Sequence, residues 1–154
     1  MKGMISMMLL FLILQSCNSK KVFDERHNFE DMKWNRFKNV TFEFDISDTE
    51  SLYDMTMSLR HHTVFPEPDL QMTLAIYTPS GERRLKDITM VIRNADGTFR
   101  ASGMGDLWDM DQVVYSGYHF NEKGHYKVEI ENRMSKYDTP GVMELGLRVE
   151  KVGG

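Results

Sequence analysis

From Val40 onward, apolar and polar residues alternate with a period of two. Val40, Phe42, Phe44 and Ile46 interleave with Thr41, Glu43 and Asp45, which predicts a half-buried strand. Tyr53, Met55, Met57 and Leu59 repeat the pattern against Asp54, Thr56 and Ser58, and Arg60-His61-His62 closes that segment. Leu70, Met72, Leu74 and Ile76 predict a third strand, and Ile88, Met90 and Ile92 a fourth. Residues 98–102 resume a strand after the hairpin signal Asn94-Ala95-Asp96-Gly97. Val113, Val114 and Tyr115 lead a further strand towards Phe120, while residues 107–112 read as irregular. Tyr126, Val128 and Ile130 make the next strand, and the last buries Met143, Leu145, Leu147 and Val149. Turn residues bound every segment: Pro66 and Pro68, Thr78-Pro79-Ser80-Gly81, Gly103-Met104-Gly105-Asp106, Asn121-Glu122-Lys123-Gly124, Pro140-Gly141. About eight short strands with no long helical period predict an all-β fold, an antiparallel two-sheet β-sandwich. The methionines at 55, 57, 72, 90 and 143 then read as core filler.

The first residues follow a different pattern. Lys2 precedes an apolar run from Met4 to Leu14, broken only by Ser6. That run is far short of the ~20 residues that span a bilayer, and it fits a secretory signal. It ends in Leu14-Gln15-Ser16-Cys17, and Cys17 is the only cysteine among 154 residues. We read this as a lipobox, cut between Ser16 and Cys17, with a diacylglycerol and a further acyl chain such as palmitate carried on Cys17. Each buried CH₂ contributes ~0.8 kcal/mol, so several chains hold a protein stably. Lipidation uses up the thiol and leaves the mature chain without a disulfide. The expected organisation is a lipoprotein signal peptide over 1–16, a lipidated polar tether over 17–31 and one β-sandwich domain over 32–154. Phe23 and Phe29 would dock the far end of the tether, and Trp34 and Phe37 would open the packed domain.

Charge narrows the partners. The chain carries a formal net charge of −4, and loss of residues 1–16 removes only Lys2, leaving −5. That is a poor footprint for nucleic acid. His61 and His62 are adjacent on a predicted strand, so they point to opposite faces and do not easily share a metal. Asp106, Asp109 and Asp111 could hold Ca²⁺, but the EF-hand pattern is absent and solvated loop carboxylates explain them. No nucleophile elbow, P-loop or dinucleotide fingerprint occurs, and Gly103-x-Gly105 marks a bend. Paired carboxylates for glycoside hydrolysis depend on a separation that only the fold sets. No metal and no cofactor beyond the lipid is expected, and no feature recommends an enzyme. Trp34, Trp108, Tyr115, Tyr118 and Tyr137 offer either packing or an aromatic sugar platform.

The ordered series of elements resembles the GldH family of gliding-motility lipoproteins of Bacteroidetes. It comprises Trp34 before the first strand, Phe42-x-Phe44-x-Ile46-x-Asp48, and Tyr53 leading to Leu59-Arg60 and Phe65-Pro66. It continues through Thr78-Pro79-x-Gly81, Gly97 before Phe99, and Ser102-Gly103-Met104-Gly105-Asp106. It closes with Phe120-x-x-x-Gly124-x-Tyr126, Met134, and Gly141-Val142 into Leu145-Gly146-Leu147. The chain departs from the family pattern at His61 and Asp69, where asparagine is expected. The resemblance implies a non-enzymatic lipoprotein that acts with other envelope proteins of the gliding and type IX secretion machinery.

On the residues alone, the interaction surface is expected in two loops, 63–69 and 103–111, since loops on rigid sheets carry function. The candidates are Arg60, His61, Phe65, Pro66, Asp69, Gly103, Gly105, Asp106 and Trp108. The alternative is a surface glycan-binding sandwich, which needs Trp108, Tyr115 and Tyr118 exposed on one flat patch. An acidic run directly after the lipidated cysteine would favour surface export. Here Asn18-Ser19-Lys20-Lys21 comes first and Asp24-Glu25 follows, which places the expected domain on the periplasmic side of the outer membrane.

Overall fold

A computed structural model describes residues 20–153. Ser16 and Cys17 lie outside the described residues. Eleven strands run in the order β1 (Lys21–Asn28), β2 (Lys33–Asn35), β3 (Val40–Ile46), β4 (Tyr53–His62), β5 (Asp69–Tyr77), β6 (Arg83–Val91), β7 (Ser102–Met104), β8 (Leu107–Tyr118), β9 (Gly124–Asn132), β10 (Asp138–Pro140) and β11 (Val142–Lys151). They form a five-stranded sheet β1-β11-β4-β8-β7, a four-stranded sheet β3-β9-β5-β6, and a β2-β10 ribbon. Every pairing is antiparallel. The fold is the expected all-β sandwich.

The period-two pattern explains the layers. Successive side chains of a strand point to opposite faces. Val40, Phe42, Phe44 and Ile46 of β3 are buried, and so are Leu70, Met72, Leu74 and Ile76 of β5. They face Met55, Met57 and Leu59 of β4 and Leu145, Leu147 and Val149 of β11 across the sandwich. The largest buried side chains keep their polar tips bonded, as burial demands. Trp34 Nε1 donates to Lys38 O at 2.8 Å, Tyr53 OH to Asp48 O at 2.6 Å, and Tyr126 OH to Glu122 O at 2.9 Å.

Five expectations need correction. The predicted polar tether is a strand, because β1 pairs with β11 from Lys21 to Asn28. Phe23 is its one buried side chain, 5.1 Å from the Phe44 ring and 6.0 Å from Phe42. The remaining charged residues suit an edge strand, where both faces and one edge meet water. Residues 107–112, expected as irregular, form the first half of β8. Of residues 98–102, only Ser102 enters a strand, as the start of β7; the Asn94–Gly97 turn closes on a single bridge between Arg93 and Phe99. Met143 is only half-buried, because the register shift between Val142 and Glu144 turns Val142 into the core in its place. Phe37, expected to open the core, is 72% exposed.

The strand order alternates direction strictly, so the loops sort to two ends. The near end carries loops 47–52, 78–82 and 119–123, with Lys21 at the start of β1 and Lys151 at the close of β11. The far end carries loops 29–32, 63–68, 92–101 and 133–137 and the β7–β8 turn. Between the ends, the β6 edge faces inward with charge: Arg84 donates to Tyr118 OH at 3.0 Å, and Lys86 lies 4.2 Å from the Tyr115 ring centroid and donates to Val114 O. Inward-pointing cations of this kind discourage edge-to-edge pairing.

Candidate functional site

Both predicted loops meet at one corner of the far end. β4 ends at His62, whose Cα pairs with Leu107, and β7 folds back so that Met104 also pairs with Leu107. Thr63 N donates to Asp106 O at 3.0 Å and Thr63 Oγ1 to Asp106 Oδ1 at 3.0 Å, which ties the loops together. His62 Nδ1 accepts from Val64 N at 3.1 Å. Gly103 is required by close approach: a Cβ there would sit 2.2 Å from Leu107 O and 2.8 Å from the Trp108 ring.

Beneath this corner lies an aromatic cluster. His61 is fully buried, with ring centroids 5.0 Å from Phe99 and 5.9 Å from Phe65. Its Nδ1 donates to His62 O at 3.2 Å, and its buried Nε2 has no partner. Burial holds the imidazole below its ordinary pKa, and the nearby Arg93 charge adds to the effect. Trp108 packs on Phe99 at 4.8 Å, its Nε1 likewise unpartnered. Arg93 covers Phe99 at 4.1 Å and donates to Phe65 O at 3.1 Å. Phe65 itself is fully buried.

Arg60 points the other way, to the outer face of the five-stranded sheet. It makes a two-pronged pair with Asp109 at 2.8 and 3.1 Å and a third bond to Glu144 at 3.1 Å. Glu144 in turn pairs with Arg26 at 3.3 Å, so four strands share one row of alternating charge. The guanidinium holds the Asp109 carboxyl below the usual range. Asp111 faces Arg148 at 3.5 Å, and Asp106 is engaged by Thr63, so the three aspartates each serve a different partner. Among the described residues, no three His, Cys, Asp or Glu side chains converge as metal ligands.

The structure therefore gathers Arg60, His61, Phe65, Gly103, Gly105, Asp106 and Trp108 at or under one corner. Pro66 stays on the surface, while Asp69 begins β5 and bonds Gln71 Nε2 at 3.1 Å. His61 and Phe65 are internal and shape the corner without presenting themselves. Gly105 and Asp106 face solvent, but the exposed apolar side chains of the two loops were not among the candidates: Met104 is 90% exposed, Val64 55% and Leu107 44%. Met104 had a legible signal, since an apolar residue between two glycines at a hairpin tip has no core to enter. Phe37 and Tyr137 form a second exposed apolar pair at the same end, 5.5 Å apart, and Lys136 ties that loop to Glu67 at 2.8 Å.

The flat patch of Trp108, Tyr115 and Tyr118 expected for glycan binding does not form, and Trp108 packs on Phe99. Trp34 is fully buried, and Tyr115 and Tyr118 turn inward, 4.8 Å apart, under Lys86 and Arg84.

Fold and site define a class: an antiparallel β-sandwich whose far end carries a group of exposed apolar side chains. Comparison with known proteins gives the family. A model described as GldH lipoprotein matches residues 21–149, and the chain belongs to that family. It is 28% identical over 152 residues to the gliding motility lipoprotein GldH of Flavobacterium johnsoniae, covering 94% of each chain. It is 27% identical over 147 residues to the gliding motility lipoprotein GldH homolog of Christiangramia forsetii, covering 91% of this chain and 90% of that one. Among solved structures, a chain from the structure of infectious bursal disease virus Gx strain aligns at TM-score 0.40 and 14% identity, covering 85% of this chain and 33% of that one. A likeness that low carries no argument about function.

Proposed function

We propose that this protein is a non-enzymatic envelope lipoprotein that docks partner proteins through its far end, in service of gliding motility and the linked type IX secretion system. Lipid on Cys17 holds it at the periplasmic face of the outer membrane. Tethering beside a membrane raises its effective concentration for partners there. The observation that carries the docking reading is the gathering of Val64, Met104, Leu107, Phe37 and Tyr137, all between 44% and 90% exposed, at a single end of the sandwich. Neighbouring exposed apolar residues with polar surroundings favour a protein interface. The polar rim comes from Asp106, His62 and the Arg60–Asp109 pair.

The test replaces Met104 and Leu107 together with aspartate in cells that otherwise lack the protein, followed by crosslinking and purification. Both side chains are exposed, so the fold stays intact while the apolar contact is lost. Loss of specific crosslinked envelope proteins supports the reading, and an unchanged partner set overturns it. Protease shaving of intact cells tests sidedness: the domain should survive, and cleavage would place it on the cell surface.

A further inference from the structure

We infer that the near end of the sandwich is a membrane-contact surface, with Leu52 and Val152 resting on the bilayer that holds the Cys17 lipid. The inference rests on the lipidation of Cys17 proposed above. It follows from how early the folded body begins. Lys151 N donates to Lys20 O at 2.7 Å, so Lys20 is already fastened to the sheet. Only two residues, Asn18 and Ser19, separate it from Cys17, and the three residue steps reach at most ~11 Å when fully extended. A lipid whose glycerol lies at the headgroup level therefore draws the near end against the surface. The expected spacer, which would have let the domain float free, is spent as β1.

The surface fits that neighbour. Leu52 is 47% exposed and Val152 43%, and Val152 N donates to Leu52 O at 2.8 Å, so the two sit together beside the start of β1. They are the exposed large apolar side chains of this end among the described residues. Most acids of the near-end loops are already engaged by bonds. Asp48 is held by Lys151 at 2.6 Å and Ser51 Oγ at 2.6 Å, Glu122 by Ser80 N and Oγ, and Glu82 by Arg84; Glu50 is the exception. Lys20 and Lys123 stay exposed, free of ion pairs among the described residues, and suit phospholipid phosphates. Each such cation near an anionic surface contributes on the order of 1 kcal/mol.

The consequence is an upright posture. β4 spans ten residues, so at ~3.3 Å per residue the Met104–Leu107 corner stands roughly 30 Å from the bilayer. Partners then meet the protein away from its own membrane.

The full lipidated chain tests this in vesicles of phosphatidylethanolamine and phosphatidylglycerol. Because the Cys17 thiol is used by lipid, Leu52→Cys, Val152→Cys, Met104→Cys and Tyr137→Cys each add a single free thiol for an environment-sensitive fluorophore. All four side chains are exposed, and near-ultraviolet circular dichroism checks each fold. Headgroup nitroxide lipids should quench the labels at Leu52 and Val152 several-fold more than those at Met104 and Tyr137. A protein that floats with the vesicles yet shows equal quenching at all four sites, or none at Leu52 and Val152, overturns the posture alone. A protein with unmodified Cys17 by mass spectrometry that fails to float overturns the lipid anchor, and the posture falls with it.

Discussion

Replacing Phe23 with alanine separates an edge strand from a tether. Phe23 is 8% exposed and packs its ring on Phe42 and Phe44, at 6.0 and 5.1 Å. Burying a phenylalanine side chain contributes about 1.5–3 kcal/mol by area. Core Phe→Ala changes cost about 3–5 kcal/mol when the cavity persists. β1 is paired on one side only, to β11, so it can settle part of the way into the gap. The expected loss is therefore about 2–3 kcal/mol.

The assay is urea unfolding of the mature chain with Cys17→Ser and no leader. With a slope of about 1–3 kcal/mol/M, the midpoint should fall by roughly 1 M or more. Glu25→Ala, two positions along β1 and exposed, should stay within about 0.5 kcal/mol of the parent. A loss at Phe23 no larger than that at Glu25 would show that residues 21–28 do not belong to the folded body. It would also remove the ground for the upright posture.

Three further outcomes are expected. Gly141 has φ +83°, and a Cβ there would lie 2.7 Å from Phe65 N, so Gly141→Ala should cost about 2–4 kcal/mol, read as a fall in thermal midpoint. Arg60→Ala should cost less than about 1 kcal/mol despite three charged bonds, because Arg60 is 33% and Asp109 53% exposed; an Arg60/Asp109 double-mutant cycle measures the coupling. His61 has its folded pKa below that of the unfolded chain, so the unfolded state binds the extra proton; stability is intact above pH ~6.5 and is lost as pH falls below it. His61→Phe should flatten the thermal midpoint between about pH 7 and 5, and an equally acid-sensitive variant would move that titration to another group.

Most of the fold was legible because most strands bury one face and wet the other. β3 and β9 alternate along their whole length, and β4, β5 and β11 along most of it, so their pattern shows it. The failures share one physical cause: burial there is not periodic. β1 buries Phe23, half-buries Val22 and exposes the rest, so its composition matches a spacer. From Leu107 to Val113, β8 carries apolar groups on both faces, Trp108 and Met110 inward and Leu107 and Val113 outward, which erases the period. The start of β6 sends Arg84 and Lys86 inward, where a pattern search expects apolar groups.

The site follows the same logic from the other side. The two loops were legible from proline and glycine, but which of their residues face a partner was not. His61 and Phe65 look like surface candidates because they flank a proline loop, yet both are internal, and their contribution is to hold the corner rigid. Val64, Met104 and Leu107 look like stray apolar residues, yet the Thr63–Asp106 bonds and the β7–β8 turn bring them together. A docking surface is made of apolar side chains that the fold declines to bury. Its members therefore break the pattern that reveals the core, and they become visible only when the loops that carry them are placed side by side.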